Sequence, residues 1–265
     1  MSKLPNPDQV RERLRNLSTK PKDDAPKYDL QSIHNKALID FKRVGFTGTA
    51  KAQFDELINP HLQNDRVKNL CIGWSTRYQS ITFSLFDGDV LKTHIIRSSK
   101  NPDGEIIKWR TYGSKTFTPS KIKSGSDVVF IASGIGEYIL FELMDVSYIA
   151  PQSDSVTSGI SQSRIDEVRG KTIIYLQDSD DSGRKLGGKL RELFSESVFV
   201  CIDFEHVHDK DLVHGYDFRD FANWSAIKWD ARAWNVIDQM IVREINYVKE
   251  FAKCLNYRMT QGATS

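Results

Sequence analysis

The stretch Tyr175-Leu176-Gln177-Asp178-Ser179-Asp180-Asp181-Ser182-Gly183-Arg184 carries the densest chemistry in the chain. It lies where an apolar run ends and a helix-forming run begins. Two carboxylates spaced two residues apart, in extended chain or at its first turn, reach one hard cation from the same edge. Asp178 and Asp180 have that spacing. Gly183 supplies the backbone freedom for a tight turn into the helix. Arg184 and Lys185 open that helix, positioned for a phosphate or simply for solvent. The competing role for the aspartates is helix capping, because acids are favoured at a helix start. A second cluster, His206-Val207-His208-Asp209-Lys210-Asp211, has metal-ligand side chains but leads into a loop.

The elements that must hold the Asp178 turn are legible in the apolar pattern. Residues 128–132 form a continuous apolar run of the kind buried on both faces of a parallel sheet. Further strands are expected over 147–150, 172–176 and 197–203, with helices over 136–144, 161–168 and 182–194 between them. This β-α-β alternation predicts an α/β fold with a parallel sheet flanked by helices. In such sheets ligands gather at the carboxyl ends of the strands, which is where Asp178 falls. Earlier in the chain, helices are expected over 30–43 and 50–62. The runs 81–86 and 90–96 around Asp87-Gly88 predict a hairpin, and 106–112 a further strand. After Phe221 an apolar stripe from Trp234 to Leu255 recurs at helical spacing. Four segments result: an arm over 1–28, a basic α+β subdomain over 29–125, the α/β domain over 126–223 and a helical segment over 224–265.

Composition narrows the function classes. With 39% hydrophobic residues among 265, the chain can bury a sizeable core, which excludes wholesale disorder. The balance of 37 Lys+Arg against 35 Asp+Glu excludes a uniformly basic coat. That balance conceals segregation. Residues 89–125 carry eight basic and three acidic side chains, whereas 127–223 carry nine and eighteen. A phosphate-tracking surface beside a carboxylate cluster has this signature, as do two solvated faces. Trp109 lies in the basic stretch, where an aromatic ring can stack on a base. Cys71, Cys201 and Cys254 lie far apart, which argues against a disulfide scaffold or a Cys-rich zinc module. No apolar run reaches the roughly 18 residues of a membrane span. The opening MSKLPNPDQVRERLRNL has no apolar core, so no signal peptide and a cytoplasmic location are expected.

The segment LQDSDDSGRKLGGKL resembles the second signature of the Toprim fold, the metal-binding domain of bacterial-type primases, topoisomerases and certain nucleases. Upstream, Ile131-Ala132-Ser133-Gly134-Ile135-Gly136-Glu137 is similar to the first signature, a strand, a Glu-Gly turn and an acid four residues after the Glu. Downstream, Gly215-Tyr216-Asp217-Phe218-Arg219-Asp220-Phe221 resembles the closing Gly-Lys-Asp-x-Asn-Asp segment of primase-type members. The basic hairpin, Arg97, Lys108-Trp109 and Gly113-Ser114-Lys115 resemble the subdomain that precedes Toprim in primases. The likeness spans about residues 70–223.

The resemblance implies a reduced primase, without zinc ribbon or helicase motor, acting in DNA replication. It would join nucleotides on single-stranded DNA with Mg²⁺ or Mn²⁺ and borrow a helicase or other replication protein. A phage or plasmid source fits a reduced form. By the same likeness Asp178, Asp180, Glu137, Asp217 and Asp220 would hold metal. Arg97, Lys108, Trp109, Arg110, Lys115 and Arg184 would contact nucleic acid or nucleotide. Ser133 stands where the family has its general acid/base Glu. A hydroxyl carries no charge near neutral pH, and loss of a positioned proton-transfer group costs about 10²–10⁴ in rate. Two further readings therefore stand beside the first: a catalytically degenerate Toprim protein that binds nucleic acid or a replisome partner, and a Toprim nuclease.

Overall fold

The computed structural model describes residues 28–100, 106–153, 158–203 and 217–229, with backbone alone at 98–100, 106–108, 203 and 224–229. Residues 1–27 of the N-terminal arm, the His206–Asp211 cluster and the stripe from Trp234 lie outside the described residues.

Helix α1 (Leu30–Val44) starts where the Asp29 carboxylate accepts the Ser32 N–H at 3.0 Å. Helix α2 (Gly48–Leu57) follows, then two short 3₁₀ turns, Pro60–Leu62 and Asp65–Asn69. Four antiparallel strands form the first sheet in the order β1 (Ile72–Ser75), β2 (Ser80–Asp87), β3 (Val90–Lys100) and β4 (Ile106–Gly113). The hairpin loop falls one residue later than expected. Asp87 pairs with Val90, which leaves Gly88-Asp89 as the two-residue loop. Gly88 has φ +56°, as the first central position of a type II′ turn requires.

The second sheet has the order β5-β7-β6-β8-β9: β5 (Ser120–Lys121), β6 (Val128–Ile131), β7 (Tyr148–Ile149), β8 (Thr172–Gln177) and β9 (Val198–Asp203). Strand β5 is antiparallel to β7, and the other pairings are parallel. Helices α3 (Ile135–Met144), α4 (Gln162–Glu167) and α5 (Asp181–Leu193) connect its strands, and α6 (Phe218–Trp229) follows. The second sheet thus takes in Ser120-Lys121 as an antiparallel edge strand. The fold is mixed α/β.

Alternate residues of the central strands enter different cores, which explains their unbroken apolar runs. Phe130, Ala132, Ile174 and Leu176 face one side, and Val129, Ile131, Ile173 and Tyr175 the other. The first side is continuous with Phe54, Ile81, Phe83 and Leu85 beneath the antiparallel sheet. The two sheets therefore share one core rather than forming two separate ones. Among the described residues no helix is long and apolar enough to cross a membrane.

Two polar clusters staple this frame. Asp145, just past α3, receives Arg66 at 2.7 Å, Lys121 at 3.2 Å and Lys123 at 2.9 Å. Hydrogen bonds from Lys123 and Lys121 hold its carboxyl down at about 2. Two partly exposed lysines of the basic stretch are thereby paired within the chain.

The second cluster lies between α1 and the first sheet. The buried Ser84 hydroxyl sits 2.8 Å from His34 Nδ1 and 2.9 Å from His94 Nδ1. The single hydroxyl proton can be donated to at most one ring, so at least one of the two imidazoles carries its proton on Nδ1. Burial, then the charge of His34, pushes His94 down to about 4 from 6.5. A base with a depressed folded pKa contributes stability above its unfolded value, and that stability is lost as pH falls. Urea unfolding is therefore expected to show His94 removing up to about 3 kcal/mol between about pH 6.5 and 4. The difference in slope between wild type and His94→Gln reads this contribution; equal slopes would refute it.

Candidate functional site

Strands β6 and β8 are neighbours, and the chain leaves β6 towards β7 on one side before returning to β8 on the other. The space beyond their carboxyl ends is the topological switch point of the sheet, where an open α/β sheet has its crevice. Ile131 pairs with Tyr175, so Ser133 comes level with Gln177, one residue before Asp178. Both sequence signatures therefore end at the same edge.

The Asp178 turn is built by its own backbone. The Asp180 N–H donates to the Asp178 carbonyl at 2.8 Å, and Asp180 Oδ1 accepts the Gly183 N–H at 2.8 Å as the cap of α5. A Cβ on Gly183 would strike the Asp178 carbonyl oxygen, which is why glycine stands there. Asp180 thus performs the capping role that competed with metal binding in the sequence. Arg184 is paired with Asp181 at 2.9 Å.

Glu137 lies in the first turn of α3 and is 2% exposed, with Oε1 lacking any hydrogen-bond partner. Its other oxygen is folded over Gly134, whose φ of +114° and missing Cβ make room for it. Burial, reinforced by Asp217, pushes the Glu137 carboxyl up to about 8, while Arg219 acts in the opposite direction. Asp217 caps α6, its Oδ1 accepting the Asp220 N–H at 2.7 Å. Arg219 then turns back into the site. Its guanidinium donates to Asp217 Oδ2 at 3.0 Å and to Asp220 Oδ1 at 3.4 Å, with its side chain 17% exposed. Burial alone would lower the Arg219 pKa, but the carboxylates of Glu137, Asp217 and Asp220 hold it above its ordinary value. Its stem crosses Gly136, where a Cβ would lie 2.7 Å from Arg219 Cδ.

Of the five acids expected to share metal, Asp178 and Asp180 lie in the turn after β8, and Glu137, Asp217 and Asp220 act on Arg219. Among the described residues no set of three or more His, Cys, Asp or Glu side chains is disposed to hold a metal ion. Arg219, a cation absent from the expected ligand set, pairs with Asp217 and Asp220. Ser133, buried at 7% exposure, adds no charge to either set of acids.

The expected nucleic-acid contacts also divide. Arg97 is 15% exposed, donates to the Gln53 carbonyl and pairs with Glu56 at 3.3 Å, so it fastens β3 to α2. Trp109 packs against the shared core and lines a cavity of about 90 Å³ with Gly134, Tyr138 and Gln152. It faces the seam between the sheets rather than open solvent. Lys115 is exposed, whereas the Lys108 side chain lies outside the description. Arg110 sits with its guanidinium 4.8 Å over the Tyr78 ring.

Around Arg110 lies a surface that the sequence reading did not single out. Arg77 stands 5.3 Å over the same Tyr78 ring. The Tyr78 and Tyr112 hydroxyls are 3.5 Å apart, and Tyr28, 53% exposed, meets Tyr112 edge-on at 4.9 Å. Burial, then the hydrogen bond with Tyr78, pushes Tyr112 up to about 12, and the charges acting on it besides Tyr78 are Arg110 and Arg77. The available signal was the alternation in β4, which sends Arg110 and Tyr112 to the face opposite Trp109 and Thr111. Tyr78 and Tyr28 join them only through tertiary folding.

The chain matches no family model, and a search of curated proteins returns no match. Among solved structures, the zinc-binding and RNA polymerase domains of the Aquifex aeolicus primase align with TM-score 0.40 at 16% identity, over 59% of this chain. The chain spans 40% of that one. The primase fragment of the bacteriophage T7 primase-helicase protein aligns with TM-score 0.46 at 12% identity, over 88% of this chain and 85% of that one.

Proposed function

We propose that this chain is a primase-like Toprim protein of DNA replication that acts chiefly by binding single-stranded DNA. The carrying observation is the Tyr78 ring with Arg77 and Arg110 over it, extended by Tyr112 and Tyr28. Aromatic faces interleaved with arginines stack bases of any sequence while the guanidinium groups meet backbone phosphates. The acidic edge supports binding over chemistry, because Ser133 replaces a proton-transfer acid and Arg219 occupies the carboxylate group.

The test is fluorescence anisotropy with a labelled oligothymidine strand. Tyr78→Ala is expected to weaken binding about 5- to 100-fold, the range for one lost base stack. Arg110→Ala is expected to weaken it and also to flatten the salt dependence by about one phosphate contact. No binding by wild type at low salt, or unchanged affinity in both variants, would sink the reading.

A second reading is nucleotide joining with Mg²⁺ or Mn²⁺, and one observation favours it. Asp178 and Asp180 stand at the switch-point edge beside Ser133, where a phosphoryl group would be presented. A dication would supply charge neutralisation there, but the carboxylates paired with Arg219 do not fit one while the guanidinium stays. Primer synthesis with NTPs or dNTPs separates the readings. Product from wild type that disappears in Asp178→Asn/Asp180→Asn establishes the nucleotidyltransferase. Product from Ser133→Glu alone identifies a scaffold retired from catalysis.

A further inference from the structure

We propose that Arg219 is the resident cation of the acidic edge and excludes a divalent ion from Glu137, Asp217 and Asp220. The inference rests on the reading of this edge as the position of a Toprim-type metal site.

Three features of the geometry carry it. Both oxygens of Asp217 are committed, Oδ1 to the Asp220 N–H at 2.7 Å and Oδ2 to the guanidinium at 3.0 Å. An oxygen turned towards a guanidinium is not turned towards a metal, which needs its ligands at roughly 2.0–2.6 Å. A dication beside the guanidinium would also meet a like charge at short range in a water-poor site.

The second feature is how the arginine reaches this place. Its stem lies across the first turn of α3, over Gly136, where any side chain would collide with Arg219 Cδ. A backbone gap that admits one arginine stem makes the guanidinium part of the packing rather than a surface charge swung inward. It is paired on both sides of its own position in α6, with Asp217 and Asp220.

The third feature is Glu137. Its Oε1 is buried with no hydrogen-bond partner, the one such carboxylate oxygen among the described residues. An oxygen left in that condition is a coordination position that the arginine does not fill. Removing the guanidinium would leave three carboxylates, one with an orphaned oxygen, around a vacated cation position. The edge therefore holds the elements of a metal site suppressed by one side chain.

The experiment titrates the full chain with Mn²⁺, followed by calorimetry and by the electron paramagnetic resonance of free Mn²⁺. Wild type is compared with Arg219→Gln, Arg219→Lys, Glu137→Gln and the double variant Glu137→Gln/Arg219→Gln, and circular dichroism checks each fold. Arg219→Gln is expected to gain one site that binds Mn²⁺ at least about tenfold more tightly than any in wild type. The double variant loses that site, which places it at Glu137. Arg219→Lys stays refractory because it keeps the charge. A folded Arg219→Gln with no gain overturns the proposal, as does wild-type binding that Glu137→Gln abolishes. Should Arg219→Gln fail to fold, the single Glu137→Gln variant decides. A wild-type isotherm unchanged by it supports exclusion, and a weakened one refutes it. Oligothymidine anisotropy run in parallel keeps the readings apart: loss of DNA binding by wild type sinks the proposed function without touching the Mn²⁺ result.

Discussion

Truncating Phe141 to alanine is expected to destabilise the protein by about 3–5 kcal/mol in urea unfolding, the usual range for a buried phenylalanine. Phe141 is fully buried on α3. Its ring stacks on Tyr148 at 5.5 Å and on Phe218 at 5.9 Å, with Phe130 tilted at 6.2 Å. Tyr148 and Phe130 belong to the parallel sheet, and Phe218 is the first residue of α6. One ring thus joins the sheet, α3 and the helix that delivers Asp217, Arg219 and Asp220. The cavity left behind would be walled by three aromatic rings held by different elements, so the site cannot collapse to fill it. A loss below about 1 kcal/mol would mean that α6 is not docked on α3 through these rings.

Arg219→Ala is expected to cost about 3 kcal/mol at neutral pH. Removing one partner of a buried ion pair leaves uncompensated charge, typically at 3–5 kcal/mol. The lower end applies because Asp220 is 40% exposed and water takes over part of its neutralisation. Glu137 keeps the loss at the lower end as well, because at neutral pH its raised pKa leaves it largely protonated and without charge to strand. Its folded pKa, already about 8 against 4.5, must rise when the guanidinium goes. A carboxyl with a raised folded pKa binds more protons folded than unfolded between those values, so its contribution is lost as pH rises. The penalty of Arg219→Ala is therefore expected to be flat from about pH 5 to about pH 7, where Glu137 is protonated in both folded proteins, and to grow from about pH 7 to about pH 9, as Glu137 ionises in wild type but not in the variant. Paired urea titrations of wild type and variant across that range read it, and a penalty independent of pH would show that Glu137 does not sense Arg219.

Much of the frame was legible because its signals are local. The unbroken apolar run of β6 required two buried faces, and the structure supplies two cores divided by the alternation of that strand. The Asp178 turn could be placed at the end of β8 because a strand, a glycine and a helix follow one another in sequence. The hairpin was displaced by one residue, since Asp87-Gly88 and Gly88-Asp89 are equally good turn pairs locally and only the register of β2 against β3 selects between them. Strand β1 was not anticipated. It is four residues long, and its buried side is completed by α1 and β2 rather than by a pattern of its own.

The sequence by itself determined the α/β order, the place of the carboxylates at strand ends and the charge division. Tertiary structure alone decided what those charges do. Arg97 looks like a phosphate ligand in a basic stretch, yet long-range pairing with Glu56 makes it a staple within the chain, as pairing with Asp145 does for Lys121. Tyr78 and Tyr112 lie 34 residues apart and form one face only when β4 comes alongside the β1–β2 turn. Arg219 reads as one more basic residue beside two acids, while its entry over Gly136 towards Glu137 depends on α6 packing against α3. Periodicity reports which side of an element is buried, because burial follows the repeat of that element. The partner of a charge is set by where distant elements meet, and no repeat along the chain encodes that distance.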